Sequence, residues 1–292
     1  LMAAADILTA LKDSLAGTVV FLFQPAEEGA PTGEEGGAEL MIKEGALDHP
    51  KVDVIFGLHI ASTLEVGKIM YKPGTAMAAV NTFTMTVHGK GTHGSTPWTG
   101  IDPIVTSAEI IMGLQTIISR QTELTKAPAV ITVGKITGGV RANIIPEEVT
   151  MVGTIRTLDT SMQRIILQKI RTTATNIAES AGATVDINID QGYPITYNNP
   201  ELTEAMLPTL TEVAGMPNVR LSKESTGAED FSFYEQRVPG LFVFVGGMKP
   251  GTPAGMAPLH HTQDFSVEDS SMKLGIRTLC YLTLDYMAQA SH

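Results

Sequence analysis

Residues 24–29 read Gln-Pro-Ala-Glu-Glu-Gly and directly follow the apolar run Val19-Val20-Phe21-Leu22-Phe23. A short β-rich apolar run bounded by Gly17 and Pro25 predicts a buried parallel strand over 17–23. The two carboxylates then stand at its C-terminal end, the edge where open α/β sheets bind ligands. Successive residues of an extended segment point in opposite directions. Glu27 and Glu28 therefore cannot act alike, and one can hold a metal while the other faces a water or a substrate. His59 ends a second apolar run, through Gly57-Leu58, at the same expected edge. A lone His there is commonly a hydrogen-bonded core residue, but imidazole beside carboxylate suits zinc, manganese or cobalt. In Pro258-Leu259-His260-His261-Thr262, adjacent imidazoles on an extended segment do not easily reach one ion, so one is the ligand and the other lies nearby. Glu28, His59 and one of His260 or His261 thus form a three-ligand set. Glu27 beside them is a fitting general base for a metal-activated water, which is the chemistry of metal-assisted hydrolysis. His93 sits among glycines in Gly89-Lys90-Gly91-Thr92-His93-Gly94-Ser95. That setting suits either a plain turn or an imidazole delivered to a site made elsewhere, where it can polarise a carbonyl oxygen.

The elements that must position these residues fall into two rhythms. Residues 1–77 predict helix, strand (17–23), an acidic Gly-rich loop (24–37), helix (38–45) and strands over 52–59 and 65–71. Residues 193–292 return to the same α/β character, with helices over 201–214, 228–235 and 267–288 and strands over 220–223 and 241–245. Between them, residues 78–192 predict strand (82–88), a long helix opened by Asp102-Pro103, strands (129–136, 149–155), a helix over 160–180 capped by Ser161 or a neighbour and ended by Gly182, and a strand (185–189). The order β-α-β-β-α-β is that of a ferredoxin-like unit. The expected organisation is a domain of 1–77 and 193–292 interrupted by an insert of 78–192.

The chain has 292 residues, 43% hydrophobic and 17% charged, with a net charge of −11. That length accommodates two domains, and so negative a surface disfavours nucleic acid and anionic membranes as partners. The single cysteine, Cys280, sits in an apolar helical stretch and reads as a core residue. No run approaches the ~18 apolar residues of a membrane span.

These motifs resemble the M20 metallopeptidase family, in the branch of hippurate hydrolases, N-acyl-amino-acid deacylases and auxin-conjugate hydrolases. The matching stretches are 24–29 (QPAEEG), 55–59 (IFGLH), 89–103 (GKGTHGSTPWTGIDP), 138–146 (GGVRANIIP), 153–157 (GTIRT), 227–231 (GAEDF) and 258–265 (PLHHTQDF), in order along nearly the whole chain. The resemblance implies a phosphorylase/hydrolase-like α/β catalytic domain carrying an inserted ferredoxin-like α+β lid and dimerisation domain. It implies two divalent metals per full-length subunit (Mn, Zn, Co or Ni) and a homodimer acting on small N-acyl amino acids. Glu27 then resembles the general base, and Glu28 and His59 metal ligands. His261, four residues before Phe265, fits the remaining ligand spacing. His93 resembles the lid histidine that binds the substrate oxyanion, expected across the dimer. Asn143 and Arg156 resemble residues that hold the substrate carboxylate, a role suited to the bidentate Arg fork. The alternatives are an M20-type dipeptidase or aminopeptidase and a non-catalytic dimerising module.

The chain opens on helix-forming residues, Leu1-Met2-Ala3-Ala4-Ala5, with no N-cap and no initiator Met. Sequence upstream is therefore expected, including the Cys-Gly-His-Asp segment that the resemblance implies for the other metal ligands. Without it the 292 residues are expected to bind metal poorly and turn over little. A cytoplasmic location is expected, although an upstream segment could have carried a signal peptide.

Overall fold

A computed structural model describes residues 1–31 and 33–290. In chain order its elements are α1 (Met2–Ala10), α2 (Gly37–Lys43), β1 (Ile55–Glu65), β2 (Ile69–Tyr71), β3 (Gly74–Met77), β4 (Ala79–His88), β5 (Thr92–His93), α3 (Pro103–Gln121), β6 (Ala129–Gly138), β7 (Ile144–Ile145), β8 (Glu148–Thr157), α4 (Thr160–Ser180) and β9 (Thr184–Gln191). There follow β10 (Thr196–Asn198), α5 (Pro200–Ala214), β11 (Val219–Leu221), α6 (Ser232–Glu235), β12 (Gly240–Met248) and α7 (Ser271–Ala290). The chain divides into two compact units. One comprises Leu1–Ala76, Thr196–Ser225 and Glu229–His292, the other Met77–Ile195 and Thr226–Ala228.

The first unit is built on a four-stranded sheet of order β1-β12-β2-β11. β1 and β12 run parallel, with Gly57 opposite Phe242, His59 opposite Phe244 and Ala61 opposite Gly246. Side chains alternate across a strand, so the sheet presents two distinct faces. Leu241 and Val243 are fully buried in a cluster with Leu202, Met206 and Leu210 of α5 and Leu282 of α7. The alternate residues Phe242 and Phe244 meet edge-on at 5.6 Å, and Phe242 also packs on Phe231 at 5.0 Å. His59 belongs to this second face through its register with Phe244. A Cβ at Gly57 would lie 2.7 Å from the Phe231 ring and 2.8 Å from Phe242. Glycine is thus the residue that lets the Phe231 ring come this close to the sheet. Cys280 is buried against Ala4 and Leu8 of α1, as its apolar setting predicts.

The second unit is an antiparallel sheet of order β6-β8-β4-β9 with α3 and α4 packed on it. Phe83, Met85 and Val87 of β4 are fully buried against Ile110, Leu114 and Ile117 of α3 and Ile166 and Ile170 of α4. Thr82, Thr84 and Thr86 alternate to the other face. Strand and helix order match the β-α-β-β-α-β pattern read from the sequence. Asp102 caps α3, accepting from the Ile104 and Val105 amides at 2.9 and 3.3 Å, with Pro103 at the first helical position. α4 spans the expected 160–180, and Gly182 leaves it at φ 76°. Its cap is Asp159: the Oδ1 atom accepts from the Met162 amide at 2.8 Å, from Ser161 Oγ at 2.5 Å and from Lys126 Nζ at 3.0 Å.

Four expectations are corrected. Residues 17–23 form no strand; Val20 and Phe23 are 37% and 57% exposed, and only Val19 and Phe21 lean on the α1–α7 cluster. Apolar β-branched content makes a strand only where a neighbour supplies a ladder, and no described strand pairs with 17–23. β1 extends to Glu65, so His59 lies within a strand rather than at its end. The expected 65–71 strand shrinks to Ile69–Tyr71. The expected helix over 228–235 is confined to Ser232–Glu235; residues 229–231 form a turn with both carboxylates buried.

The three donors hold the Asp159 carboxyl down at about 2. Replacing Asp159 by Ala should lower the stability of this chain by about 1 kcal/mol at neutral pH, the usual worth of an N-cap. A depressed carboxylate contributes above its unfolded pKa and stops contributing as pH falls through its folded one. The difference between variant and parent in urea unfolding should therefore be constant at pH 5–7, shrink below about pH 4, and vanish near pH 2.

Candidate active site

The first unit gathers carboxyl groups where α2, α6 and the sheet meet. Ligand atoms of Glu27, Glu229 and Asp230 all lie within 4.8 Å of one another. Glu229 and Asp230 are buried, at 6% and 3% exposure, and Glu27 is half-buried. Removing carboxylates from water and crowding them disfavours the charged form. Burial, then the Glu27 charge, pushes the Glu229 carboxyl up to about 8. Burial, then the charges of Glu28 and Asp230, raises Glu27. Burial raises Asp230 too, against the opposing effect of its donors: Oδ2 accepts from Gln24 Nε2 at 2.6 Å and from the Ala38 amide at 2.8 Å. Ala26, immediately before the acidic pair, has φ 59°. A non-glycine residue in that region stores about 1–3 kcal/mol of strain, which the surrounding contacts must hold.

Glu28 is exposed, and its Oε1 lies 3.7 Å from His261 Nε2. Among the described residues, His261 is the other non-glycine with positive φ, at 62°. His59 stacks edge-on to His260 with ring centroids 5.1 Å apart, and its Nδ1 is 2.6 Å from the Ile60 carbonyl. His260 Nε2 accepts from the Ser62 amide at 3.2 Å, its ring lies 4.8 Å from Phe265, and burial lowers its pKa. So Glu28 meets His261, His59 meets His260, and Glu27 meets two acids not singled out from the sequence. Glu229 and Asp230 were legible only as part of GAEDF, inside an expected helix; the turn that replaces its first residues is what buries them.

In the second unit His93 lies on β5, in register with Ile144 of β7, and the Gly94 amide donates to the Asn143 carbonyl at 2.8 Å. The Ser95 amide donates to His93 Nδ1 at 3.1 Å, and Ser95 Oγ lies 2.7 Å from the same atom. A neutral imidazole that accepts at Nδ1 carries its proton on Nε2. His93 therefore presents an N–H donor beside an open groove of about 940 Å³ lined by Val140, Ile144 and Pro146. Arg156 stands half-buried on β8 between Val80 and Val130, and burial lowers its pKa.

The model of Peptidase family M20/M25/M40 matches residues 1–285. The chain belongs to this family. Its members are hydrolases acting on amide bonds. This M20 chain is 35% identical over 287 residues to Thermostable carboxypeptidase 2 of Saccharolobus solfataricus, covering 98% of this chain and 70% of that protein. It is 35% identical over 248 residues to N-acetyl-L-cysteine deacetylase of Bacillus subtilis, covering 84% and 57%. Among solved structures it superposes with a TM-score of 0.78 on the Bacillus subtilis YXEP protein, a dinuclear metal-binding peptidase of family M20, at 29% identity over 98% of this chain and 70% of that one.

The cluster of Glu27, Glu229 and Asp230 is a group of ligand atoms that could hold a metal ion. Carboxylates crowded to within 4.8 Å in a buried corner repel one another, a cost that a cation would offset. An imidazole–acid pair and an imidazole–imidazole pair stand on the same unit and supply the nitrogen donors that such ions favour.

A carboxyl whose pKa is raised by folding stabilises the protein below its unfolded value and loses that contribution as pH rises through the folded one. With metal chelated, stability should therefore decline between about pH 4.5 and 8 on account of Glu229. Glu229→Gln, whose amide can donate to Glu27, should flatten that decline and be more stable than the parent at pH 8 by about 1–3 kcal/mol, measured by urea unfolding in chelator.

Proposed function

We propose that this M20 chain hydrolyses the amide bond of N-acyl amino acids, in the active form of a homodimer loaded with two divalent cations (Mn, Zn, Co or Ni). The observation that carries this reading is the set of three carboxyls, Glu27, Glu229 and Asp230, confined to one corner of the unit that also holds Glu28, His59 and His261. Glu28, His59 and His261 would hold the metal, with His260 packed behind His59. A bound divalent cation supplies Lewis acidity toward the amide carbonyl and makes a water more acidic.

Glu27 takes the water's proton; its raised pKa makes it a better base than an ordinary surface glutamate. The water oxygen bonds to the carbonyl carbon, and the electron pair of the C=O moves onto oxygen. His93 Nε2–H, reaching across the dimer and set as a donor by the Ser95 amide, hydrogen-bonds that oxygen as it gains charge. Glu27 then passes its proton to the nitrogen, the C–N bond breaks, and a carboxylate and an amine leave. Arg156 and Asn143 hold the carboxylate of the amino-acid half. In this reading residues 1–77 and 193–292 are the catalytic domain, and 78–192 the lid and dimerisation domain.

A second reading is supported by the 35% identity to a carboxypeptidase: the same chemistry on a peptide bond next to a free C-terminal carboxylate.

The test is the whole protein with added Mn²⁺ or Zn²⁺, assayed on N-acetyl and N-benzoyl amino acids and on N-blocked dipeptides. Turnover of the acyl amino acids, abolished by chelator, supports the proposal. Turnover of the dipeptides alone favours the second reading, and none on either class overturns both. His93→Ala should lower kcat by about 10²–10³ with metal content unchanged, the usual loss on removing one oxyanion donor. Loss of metal instead would make His93 a ligand.

A further inference from the structure

The acidic loop that carries Glu27 and Glu28 begins at Gln24 and ends where α2 begins. One oxygen touches both ends. Asp230 Oδ2 accepts from Gln24 Nε2 at 2.6 Å and from the Ala38 amide at 2.8 Å. We infer that Asp230 is a positioning residue: its buried carboxylate clasps the two ends of the 24–38 loop and so sets where Glu27 and Glu28 stand. The inference rests on the reading of Glu27 as base and Glu28 as ligand.

Three further observations bear on it. A carboxylate only accepts, so it must face the NH₂ side of the Gln24 amide. The opposite side of that amide, Oε1, accepts from Tyr234 Oη at 2.9 Å. Tyr234 lies on α6, just after Asp230, so a single short stretch of chain orients Gln24 from both sides. Second, Gly37 has φ 69°, and a Cβ there would lie 2.6 Å from Asp230 Oδ2. Position 37 must be bare for the carboxylate to reach the Ala38 amide. Third, the loop folds back on itself: a Cβ at Gly36 would lie 3.0 Å from Ala26 Cβ, next to Glu27. Closing the ends therefore brings the strained Ala26 and the start of α2 together.

Asp230 is itself buried at 3% exposure and anchored by its neighbour Phe231 against Gly57 and Phe242. The clasp thus ties a loop without strand pairing to the sheet.

Charge reversal across the clasp tests it in the whole protein. Gln24→Glu sets two carboxylates against each other and should open the loop. Adding Asp230→Asn removes the repulsion and lets Nδ2 donate to the introduced carboxylate, at the expense of the oxygen that the Ala38 amide shares, so the rescue is partial. Amide hydrogen exchange over 26–36, followed by mass spectrometry, should quicken about tenfold or more in Gln24→Glu and return toward the parent in the double variant. With Mn²⁺ and the N-acyl amino acid, kcat should fall about tenfold with KM within about twofold in Gln24→Glu, and recover in part in the double variant. Gln24→Met, which removes the donor without adding charge, should show a smaller change of the same sign and guards against a Gln24→Glu protein that does not fold. Unchanged loop exchange in both Gln24→Glu and Gln24→Met overturns the inference. If exchange responds as stated but the parent hydrolyses no acyl amino acid or dipeptide, the clasp stands and the functional reading falls.

Discussion

Carboxyl groups do not gather in a low-dielectric corner unaided: each loses hydration and each repels the others. Glu27, Glu229 and Asp230 do so here within 4.8 Å, and much of the first unit can be understood as the structure that makes this tolerable. Asp230 is compensated by donors from Gln24 and Ala38. Burial, then the Glu27 charge, pushes the Glu229 carboxyl up to about 8. Phe231, which follows Asp230, packs this close to the sheet because position 57 has no side chain. The parallel pairing of β1 with β12 puts Gly57, His59, Phe242 and Phe244 on the face away from α5 and α7. The aromatic wall and the imidazole thus belong to one surface.

In the second unit a backbone amide selects one tautomer of the neutral His93 ring. β5 and β7 are two residues each, and the turn after His93 returns the Ser95 amide to Nδ1. That bond forces the neutral ring's proton to the far nitrogen. A backbone donor cannot change its role, so the tautomer does not depend on a side chain's choice.

Much of this was legible in the sequence. Local chemistry is strongest at caps and turns, and Asp102-Pro103 and Gly182 bounded their helices as expected. The β-α-β-β-α-β order followed from apolar periodicity alone. The failures have one physical source. The 17–23 run has the composition of a strand, but strand pairing is a long-range property that composition does not encode. Helix was expected over 228–235, whereas the tertiary setting stops it short and turns two acids inward. Glu229 and Asp230 went unassigned for that reason. Residue types alone left His260 and His261 open, and it was the family resemblance, through the spacing to Phe265, that pointed to His261. In the structure His260 packs on His59 and His261 reaches Glu28.

By itself the sequence determined the kinds of groups available, two acids in a Gly-Pro loop and histidines in three separate motifs, and the order of elements that carry them. It also determined family membership, since the matched residues run through nearly the whole chain. Only the tertiary structure decided which groups meet. Residues some two hundred positions apart, Gln24 and Asp230 above all, are brought together by a sheet and an aromatic contact, not by any local preference. Propensities act over a few residues. Partnership between distant side chains is settled by packing, and there the chemistry of this protein is made.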